Sequence, residues 1–314
     1  MSLNSSGTLT SALSTSLEEA IGNTPLVELR RFSGEGARIF AKLEWFNPGG
    51  SFNDRIARGM VEEARRGGRL ARGGTIGEPT SGNTGVALAM LAASRGYRCV
   101  IVMPEGYGKV KARLMTSLGA EVVRTPANDL MSGAIDRPRQ IARDTPGACL
   151  LNQFSNPENP RAHYETTGPE IWNALGESID AFVCGVGTTG TMTGAGRYLS
   201  ERIPGLLRVA AEPQGSILNG GEPGPHRVEG IGLSFFPEIF DRSRVDEVQT
   251  VDDEDACETC RRLATEEGLL AGGSSGVAAA AALRVANRLG PGRTVVTLFP
   301  DGAERYPDQG IFEG

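Results

Sequence analysis

The sequence predicts an α/β protein with doubly wound parallel sheets, and three observations carry that expectation. Short apolar runs of strand length alternate with longer runs of helical period along most of the chain. Those strand runs are rich in Val, Ile, Phe and Cys and lack a polar face, as strands covered on both sides do. Between them lie polar, glycine-bearing turns that lead from a strand straight into a helix, the connection that a parallel sheet needs.

Taken in order, the first helix opens at Ser16, with Glu19 three residues on as a capping box, and ends at Gly22 before Asn23-Thr24-Pro25. Strands follow at Leu26–Leu29 and Ile39–Glu44. A helix begins at Asp54, where Ile56, Met60, Val61 and Ala64 form an apolar face opposite Arg58, Glu62, Glu63 and Arg65. The alternation continues with a strand at Thr75–Glu78, a helix from about Asn83, a strand at Cys99–Met103 and a helix from Lys111. Next come a strand at Glu121–Arg124, a helix ending near Asp144 and a strand at Cys149–Gln153. The second half reads as a helix around Tyr164–Leu175, a strand at Ala181–Gly185, a helix over Met192–Ser200 and a strand at Arg208–Glu212. Gly215 to Phe236 is richer in Gly and Pro and has no period, so it reads as a long functional loop at the open side of a sheet. Two more helices and a strand at Thr294–Phe299 complete the pattern.

The 314 residues suffice for about two domains with cores of their own. A net charge of −6 argues against nucleic-acid or anionic-membrane partners, whose footprint is basic. No apolar run reaches the roughly 18 residues of a membrane span, and residues 1–13 read as a loose terminus without the basic and apolar regions of a signal peptide. Five cysteines, mostly inside apolar stretches, fit a reduced cytoplasmic protein. Cys257 and Cys260 form a C-x-x-C on one helix face, but no second pair completes a metal site, so no metal is expected. The cations are lopsided: Lys42, Lys109 and Lys111 are the only lysines among 32 Lys and Arg, so chemistry that needs a titratable amine has three candidates.

Four turns stand out. Asp180-Ala-Phe-Val-Cys-Gly-Val-Gly-Thr-Thr-Gly-Thr runs from a buried strand into a helix, and its amides and hydroxyls suit a phosphate. Gly185, Gly187 and Gly190 also satisfy the dinucleotide pattern G-x-G-x-x-G, with Glu212 about 20 residues later. In Glu78-Pro-Thr-Ser-Gly-Asn-Thr-Gly, Thr80, Ser81, Asn83 and Thr84 exceed the needs of an N-cap and suit a carboxylate. Asn47-Pro-Gly-Gly-Ser-Phe-Asn-Asp-Arg and Leu270-Ala-Gly-Gly-Ser-Ser-Gly are turns of the same polar type. Their convergence at the carboxyl ends of parallel strands would hold a small ligand bearing both a phosphate and a carboxylate.

These turns belong to an ordered set of blocks: IGNTPLVEL, KLEWFNPGGSFNDR, EPTSGNTG, MPEGYGKVKARLMTSLGAEV, NQFSNPENP, GVGTTGTMTGAGRYL, EGIGLSFFP, AGGSSG and FPDGAERY. Through them the chain resembles the fold type II pyridoxal-5′-phosphate enzymes of the cysteine synthase and cystathionine β-synthase family, with their tryptophan synthase β-like fold, from about Ile21 to Tyr306. The resemblance displaces the dinucleotide reading. It implies two domains, residues 14–48 with 152–314 holding the cofactor phosphate and residues 49–151 a smaller mobile unit for the substrate carboxylate, in a homodimer. By position it implies that Gly187, Thr188, Thr189, Gly190 and Thr191 hold the phosphate, Asn83 bonds the ring hydroxyl oxygen and Ser274 the pyridine nitrogen. A neutral hydroxyl at Ser274 suits β-elimination followed by β-addition better than transamination. Thr80, Ser81, Gly82, Thr84 and Gln153 would bind the substrate carboxylate, and closure over the site would shield the reaction from water. The implied chemistry is β-replacement on O-acetylserine or O-phosphoserine by sulfide or another thiol. The FNPGGS segment and the phosphate turn are similar to the O-phosphoserine and cystathionine branches. Arg227, in the long loop, is the candidate for meeting a charged leaving group.

The departure is at the centre. The family's block ends Ser-x-Lys-Asp-Arg, its lysine forming the Schiff base and moving the α-proton, and this chain has Asn53 there. An asparagine does neither near neutral pH. Lys42, Lys109 and Lys111 occupy positions unlike the family's Schiff-base site. Three explanations stay open: a lysine replaced to trap a complex, a natural member that binds cofactor or ligand without a covalent link, or an error in that letter. The rival to an enzyme is a sensor or partner-binding protein that kept the fold and lost the lysine.

Overall fold

The computed structural model describes residues 14–80, 82–106, 108–125 and 148–313. Within them the chain forms two sheets. The larger has strand order β1-β2-β10-β7-β8-β9, with β1 Leu26–Glu28, β2 Arg38–Leu43, β7 Ala181–Gly185, β8 Leu207–Pro213, β9 Glu247–Val251 and β10 Thr294–Phe299. The smaller has order β5-β4-β3-β6, with β3 Thr75–Pro79, β4 Arg98–Pro104, β5 Glu121–Thr125 and β6 Ala148–Leu150. All pairings are parallel except β1 with β2, which is antiparallel in the register Leu26↔Lys42, a departure from the wholly parallel sheets expected.

The alternation of side chains along each strand sorts the larger sheet into two covered faces. Val183 of β7 and Val295 of β10 pack with Val277 and Ala281 of one helix in one core. Their neighbours Phe182 and Val296 join Ile171 and Leu199 in another. That is the doubly wound arrangement, and it leaves no polar face on β10, whose six residues are all buried. The smaller sheet builds its own core, where Ile76 and Ile101 meet Val61, Leu88 and Met115.

The helices that matter for the site are α1 Asn53–Arg66, α2 Asn83–Arg95 and α3 Lys109–Ser117 around the smaller sheet. On the larger sheet, α4 Glu158–Ala162 passes through a wide turn at His163–Thr167 into α5 Gly168–Leu175. A second wide turn at Met192–Gly196 leads into α6 Arg197–Ser200, and α7 Asp253–Arg262 precedes α8 Gly273–Leu289. Small residues let α8 sit close. A Cβ on Gly276 would lie 2.2 Å from the Ala256 carbonyl of α7.

Several expectations are corrected here. The first helix is a single 3-10 turn, Leu17–Ala20, and Glu19 pairs with Thr15 rather than Ser16, accepting from its amide and hydroxyl at 2.7 Å each. Strand β9 escaped the sequence reading because only Val251 is buried and its polar residues form no apolar run, as befits a sheet edge. The helix expected at Tyr164 begins at Glu158, its first turn hidden by Pro160, which is tolerated where the amide has no intrahelical partner. The strand expected over Cys149–Gln153 stops at Leu150. The helix expected to end near Asp144 lies outside the described residues. The long loop from 215 to 236 carries neither helix nor strand, as expected.

Candidate active site

The polar turns meet at the carboxyl ends of β2, β3, β7 and β10, where ligands of open α/β sheets bind. Asn53 opens α1 and is buried. Its amide Nδ2 donates to the Thr84 hydroxyl at 2.7 Å, which donates to Gln153 Oε1 at 2.7 Å. Three residues expected from separate turns are thus in one hydrogen-bonded row. Gln153 is held from behind by Glu78, a fully buried carboxylate that accepts from the Gln153 and Asn152 amides at 2.9 and 2.8 Å. Burial pushes the Glu78 carboxyl up to about 7 against the pull of those amides. Thr80 is buried next to the row, and its hydroxyl accepts from Gly82 N at 3.2 Å. Ser81 lies outside the described residues.

The start of α1 is fixed by buried ion pairs. Arg55 donates to both oxygens of Glu44, from Nε at 2.7 Å and Nη2 at 2.9 Å, and to Glu170 at 2.6 and 2.8 Å. Lys42 joins through Glu170 at 2.7 Å and the Thr24 hydroxyl at 2.6 Å. On the other side the Phe52 amide reaches the Pro300 carbonyl at 3.2 Å and the Phe52 ring lies 5.4 Å from His163. Position 53 thus lies between two residues, Phe52 and Arg55, that are tied to the larger sheet and to the Glu44 and Glu170 carboxylates.

The turn after β7 has the form of an anion cradle. Thr189 adopts φ +70°, a left-handed conformation rare outside glycine, and its buried hydroxyl has no protein partner. A Cβ on Gly190 would sit 1.9 Å from Asn159 Oδ1, and one on Gly187 would sit 2.5 Å from the Gly230 carbonyl, so only glycines fit this tight path. Asn159 Nδ2 donates to the Thr188 hydroxyl at 3.0 Å. Thr191 lies 3.3 Å from His163 Nε2, whose ring burial keeps neutral by lowering its pKa to about 3. The unpartnered Thr189 hydroxyl and the glycine-only path fit a phosphate. Ser274, buried in the first turn of α8, stands on the neighbouring side, its carbonyl 3.6 Å from where a Gly185 Cβ would be.

Asn83, at the start of α2, is engaged by groups the sequence reading left without roles. Its Nδ2 donates to Asp301 Oδ2 at 2.5 Å and its Oδ1 accepts from Arg305 Nη1 at 2.8 Å. The Tyr306 hydroxyl also donates to Asp301. Asp301, Arg305 and Tyr306 all come from the block FPDGAERY, whose polar residues directly after the last apolar strand were the available signal. The lysines divide three ways. Lys42 is buried in the Glu170 cluster, Lys109 is exposed, and Lys111 is buried with its ammonium on Glu229 at 2.5 Å and 4.1 Å from the Tyr306 ring centre. Lys111 Nζ lies 3.9 Å from where a Gly82 Cβ would be, beside the carboxylate turn, a neighbourhood that its sequence position did not reveal.

Arg227 stands apart. Its guanidinium is largely exposed and faces Asp253 and Glu254 at 3.6 and 3.4 Å at the start of α7, so the structure does not bring it to the other site residues. Cys257 and Cys260 are both buried on α7. Among the described residues no cluster of metal-ligating side chains is present, and no helix is long and apolar enough to cross a membrane.

A glycine-only turn with an unpartnered buried Thr189 hydroxyl, and a second polar turn at the end of β3, both on parallel strands, fit one class: an α/β enzyme that takes a phosphorylated cofactor. The chain belongs to the family of pyridoxal-phosphate-dependent enzymes, which matches residues 17–301, and its cofactor is pyridoxal phosphate. It is 44% identical over 301 residues to cysteine synthase of Helicobacter pylori, covering 95% of this chain and 98% of that one. It is 43% identical to the O-acetylserine-dependent cystathionine β-synthase of Bacillus subtilis, over 96% of this chain and 98% of that one. Among solved structures it is similar to a lysine-to-alanine variant of O-ureido-L-serine synthase with O-ureido-L-serine bound, at a TM-score of 0.92, 42% identity, and 96% and 94% coverage. Its two-sheet fold is thus that of the fold type II enzymes.

Proposed function

We propose that this site is built for β-replacement on an activated L-serine, O-acetylserine or O-phosphoserine, by sulfide or another thiol, with Asn53 where the family's lysine is expected. The carrying observation is the row Asn53–Thr84–Gln153 beside the anion cradle at Thr189. Pyridoxal phosphate supplies, when bound, a ring that draws negative charge away from the substrate α-carbon. Gly187 to Thr191 would hold its phosphate, Asn83 its ring hydroxyl oxygen and Ser274 its ring nitrogen. Thr80, Ser81, Gly82, Thr84 and Gln153 would bind the substrate carboxylate, with Asn53 bonded to the same row. The names of the relatives support the reaction class, and the solved lysine-to-alanine variant that holds O-ureido-L-serine supports binding of an O-substituted serine in a chain of this fold that has lost a lysine.

Asn53 bears on turnover. An amide neither accepts nor returns a proton near neutral pH, so binding and orientation survive while the α-proton step has no base at this position. That favours a second reading, in which the chain binds cofactor and amino acid as a catalytically inactive ligand- or partner-binding protein. The two share one test of the site itself: titrating the cofactor-loaded chain with O-acetyl-L-serine and following the cofactor spectrum. Saturable change, lost in Thr84→Val, supports a working amino-acid site. No change at any concentration would remove both readings.

A further inference from the structure

The segment after β10 supplies a clamp on one amide, and the chemistry of its two jaws fixes how that amide must face. We propose that Asp301 and Arg305 are positioning residues that hold the Asn83 side chain with an N–H, and not its carbonyl, turned toward the cofactor ring oxygen. The inference rests on the reading that Asn83 meets that oxygen. A side-chain amide is nearly symmetric in shape, and its two orientations are opposite in charge toward an acceptor. Arg305 can only donate, and Asp301 Oδ2 accepts. Arg305 Nη1 takes the Asn83 carbonyl at 2.8 Å, and Asn83 Nδ2 gives one of its two hydrogens to Asp301 at 2.5 Å. The second hydrogen is left for a ligand. Turning the amide over would set N–H against guanidinium and C=O against carboxylate.

The jaws are themselves built in. Asp301 is fully buried, Arg305 and Tyr306 nearly so. Tyr306 donates to the same Asp301 oxygen, and the Asp301 carbonyl accepts from Gly272 N at 3.2 Å. Arg305 Nη2 donates to the Gly49 carbonyl. Glycines make the room: a Cβ on Gly272 would lie 2.4 Å from Asp301 Oδ1 and one on Gly50 would lie 2.2 Å from Arg305 Nη2. The clamp also spans the sheets, since Asn83 opens a helix of the smaller sheet and Asp301 follows a strand of the larger one.

The test compares affinities for pyridoxal 5′-phosphate and for its 3-deoxy analogue, which lacks the ring hydroxyl, by fluorescence titration of the full chain and of Asn83→Ala, Asp301→Asn and Arg305→Met. Asp301→Asn and Arg305→Met are expected to weaken pyridoxal phosphate about tenfold, the scale of one charge-supported hydrogen bond, and to leave the 3-deoxy analogue within about twofold. Equal loss for both ligands, or loss for neither, in both variants would overturn the clamp, the former marking a purely structural role. Asn83→Ala separates the two levels. If it fails to discriminate the ligands, the assignment of Asn83 falls and the clamp with it; if it discriminates while the clamp variants do not, only the clamp is wrong.

Discussion

The Asn53 amide donates to the Thr84 hydroxyl at 2.7 Å, joining the first residue of α1 to the first turn of α2 across the mouth of the site. A lysine at this position would send a flexible amine toward the cofactor; the shorter amide stops at Thr84 and satisfies it. The first expectation follows. The chain with Asn53 should take up pyridoxal phosphate reversibly, and borohydride followed by denaturation should release all of it. Mass spectrometry of the digested chain checks this. A cofactor-labelled Lys111 peptide would be the informative contrary result, because that ammonium sits beside Gly82.

Lys111 and Glu229 tie α3 to the loop preceding the last core elements of the larger sheet, with the lysine buried and the glutamate about one-quarter exposed. Removing one partner of such a pair leaves the other charge poorly solvated, but partial exposure of Glu229 softens the cost. Lys111→Met should destabilise the chain by about 2 kcal/mol, below the ~3–5 kcal/mol of a fully buried pair. Lys109→Met, at an exposed position, should change stability by less than about 0.5 kcal/mol. Urea denaturation of both variants distinguishes a coupling of this size from a cosmetic contact.

Arg55 is fully buried between Glu44 and Glu170. Arg55→Met leaves the buried Glu44 without its paired cation, while Glu170 keeps Lys42, and should cost about 3–5 kcal/mol, enough to unfold many domains at moderate temperature. Arg55→Lys should recover only part of that loss, because an ammonium cannot reproduce the paired donors on Glu44. Thermal melts of the two variants give the comparison; equal and small losses would show that the network does not anchor α1.

Two buried groups give stability opposite dependences on pH. Burial raises Glu78 from 4.5 to about 7, so between those values the folded chain holds a proton that the unfolded chain has lost. Stability from this group therefore falls as pH rises from 4.5 through 7, by about 3 kcal/mol. Burial lowers His163 from 6.5 to about 3, so the unfolded chain binds the extra proton and stability falls as pH drops from 6.5 toward 3. Glu78→Gln should flatten the alkaline-side decline and His163→Asn the acid-side decline, each read from melting temperature between pH 4 and 8.

What the sequence disclosed follows from how local its signals are. Buried parallel strands such as Thr294–Phe299 and Ala181–Gly185 announce themselves by unbroken apolar runs, and the phosphate turn does so by glycines that only close approach requires. Strand β9 does not, because an edge strand of Glu, Gln and Thr needs no apolar face. The row Asn53–Thr84–Gln153 joins residues 31 and 69 positions apart; Thr84 stood out through its polar turn, and Asn53 and Gln153 through the family resemblance. The partners of Asn83 were missed because Asp301 and Arg305 lie 218 and 222 residues away, where only folding brings them near. Arg227 was suggested by its place in a functional loop, yet two acids at the start of α7 claim it, a pairing set by the fold and not by spacing.

The central claim is that a complete β-replacement site surrounds one missing amine. Its most direct measurement is L-cysteine formation from O-acetyl-L-serine and sulfide by Asn53→Lys, loaded with pyridoxal phosphate, beside the chain with Asn53. The account expects the variant to gain a visible band that borohydride bleaches and fixes at residue 53, and to exceed the rate of the Asn53 chain by at least about a thousandfold, the middle of the range for a positioned acid–base group. A variant that fixes the cofactor at residue 53 and still forms no cysteine from O-acetylserine or O-phosphoserine would contradict it.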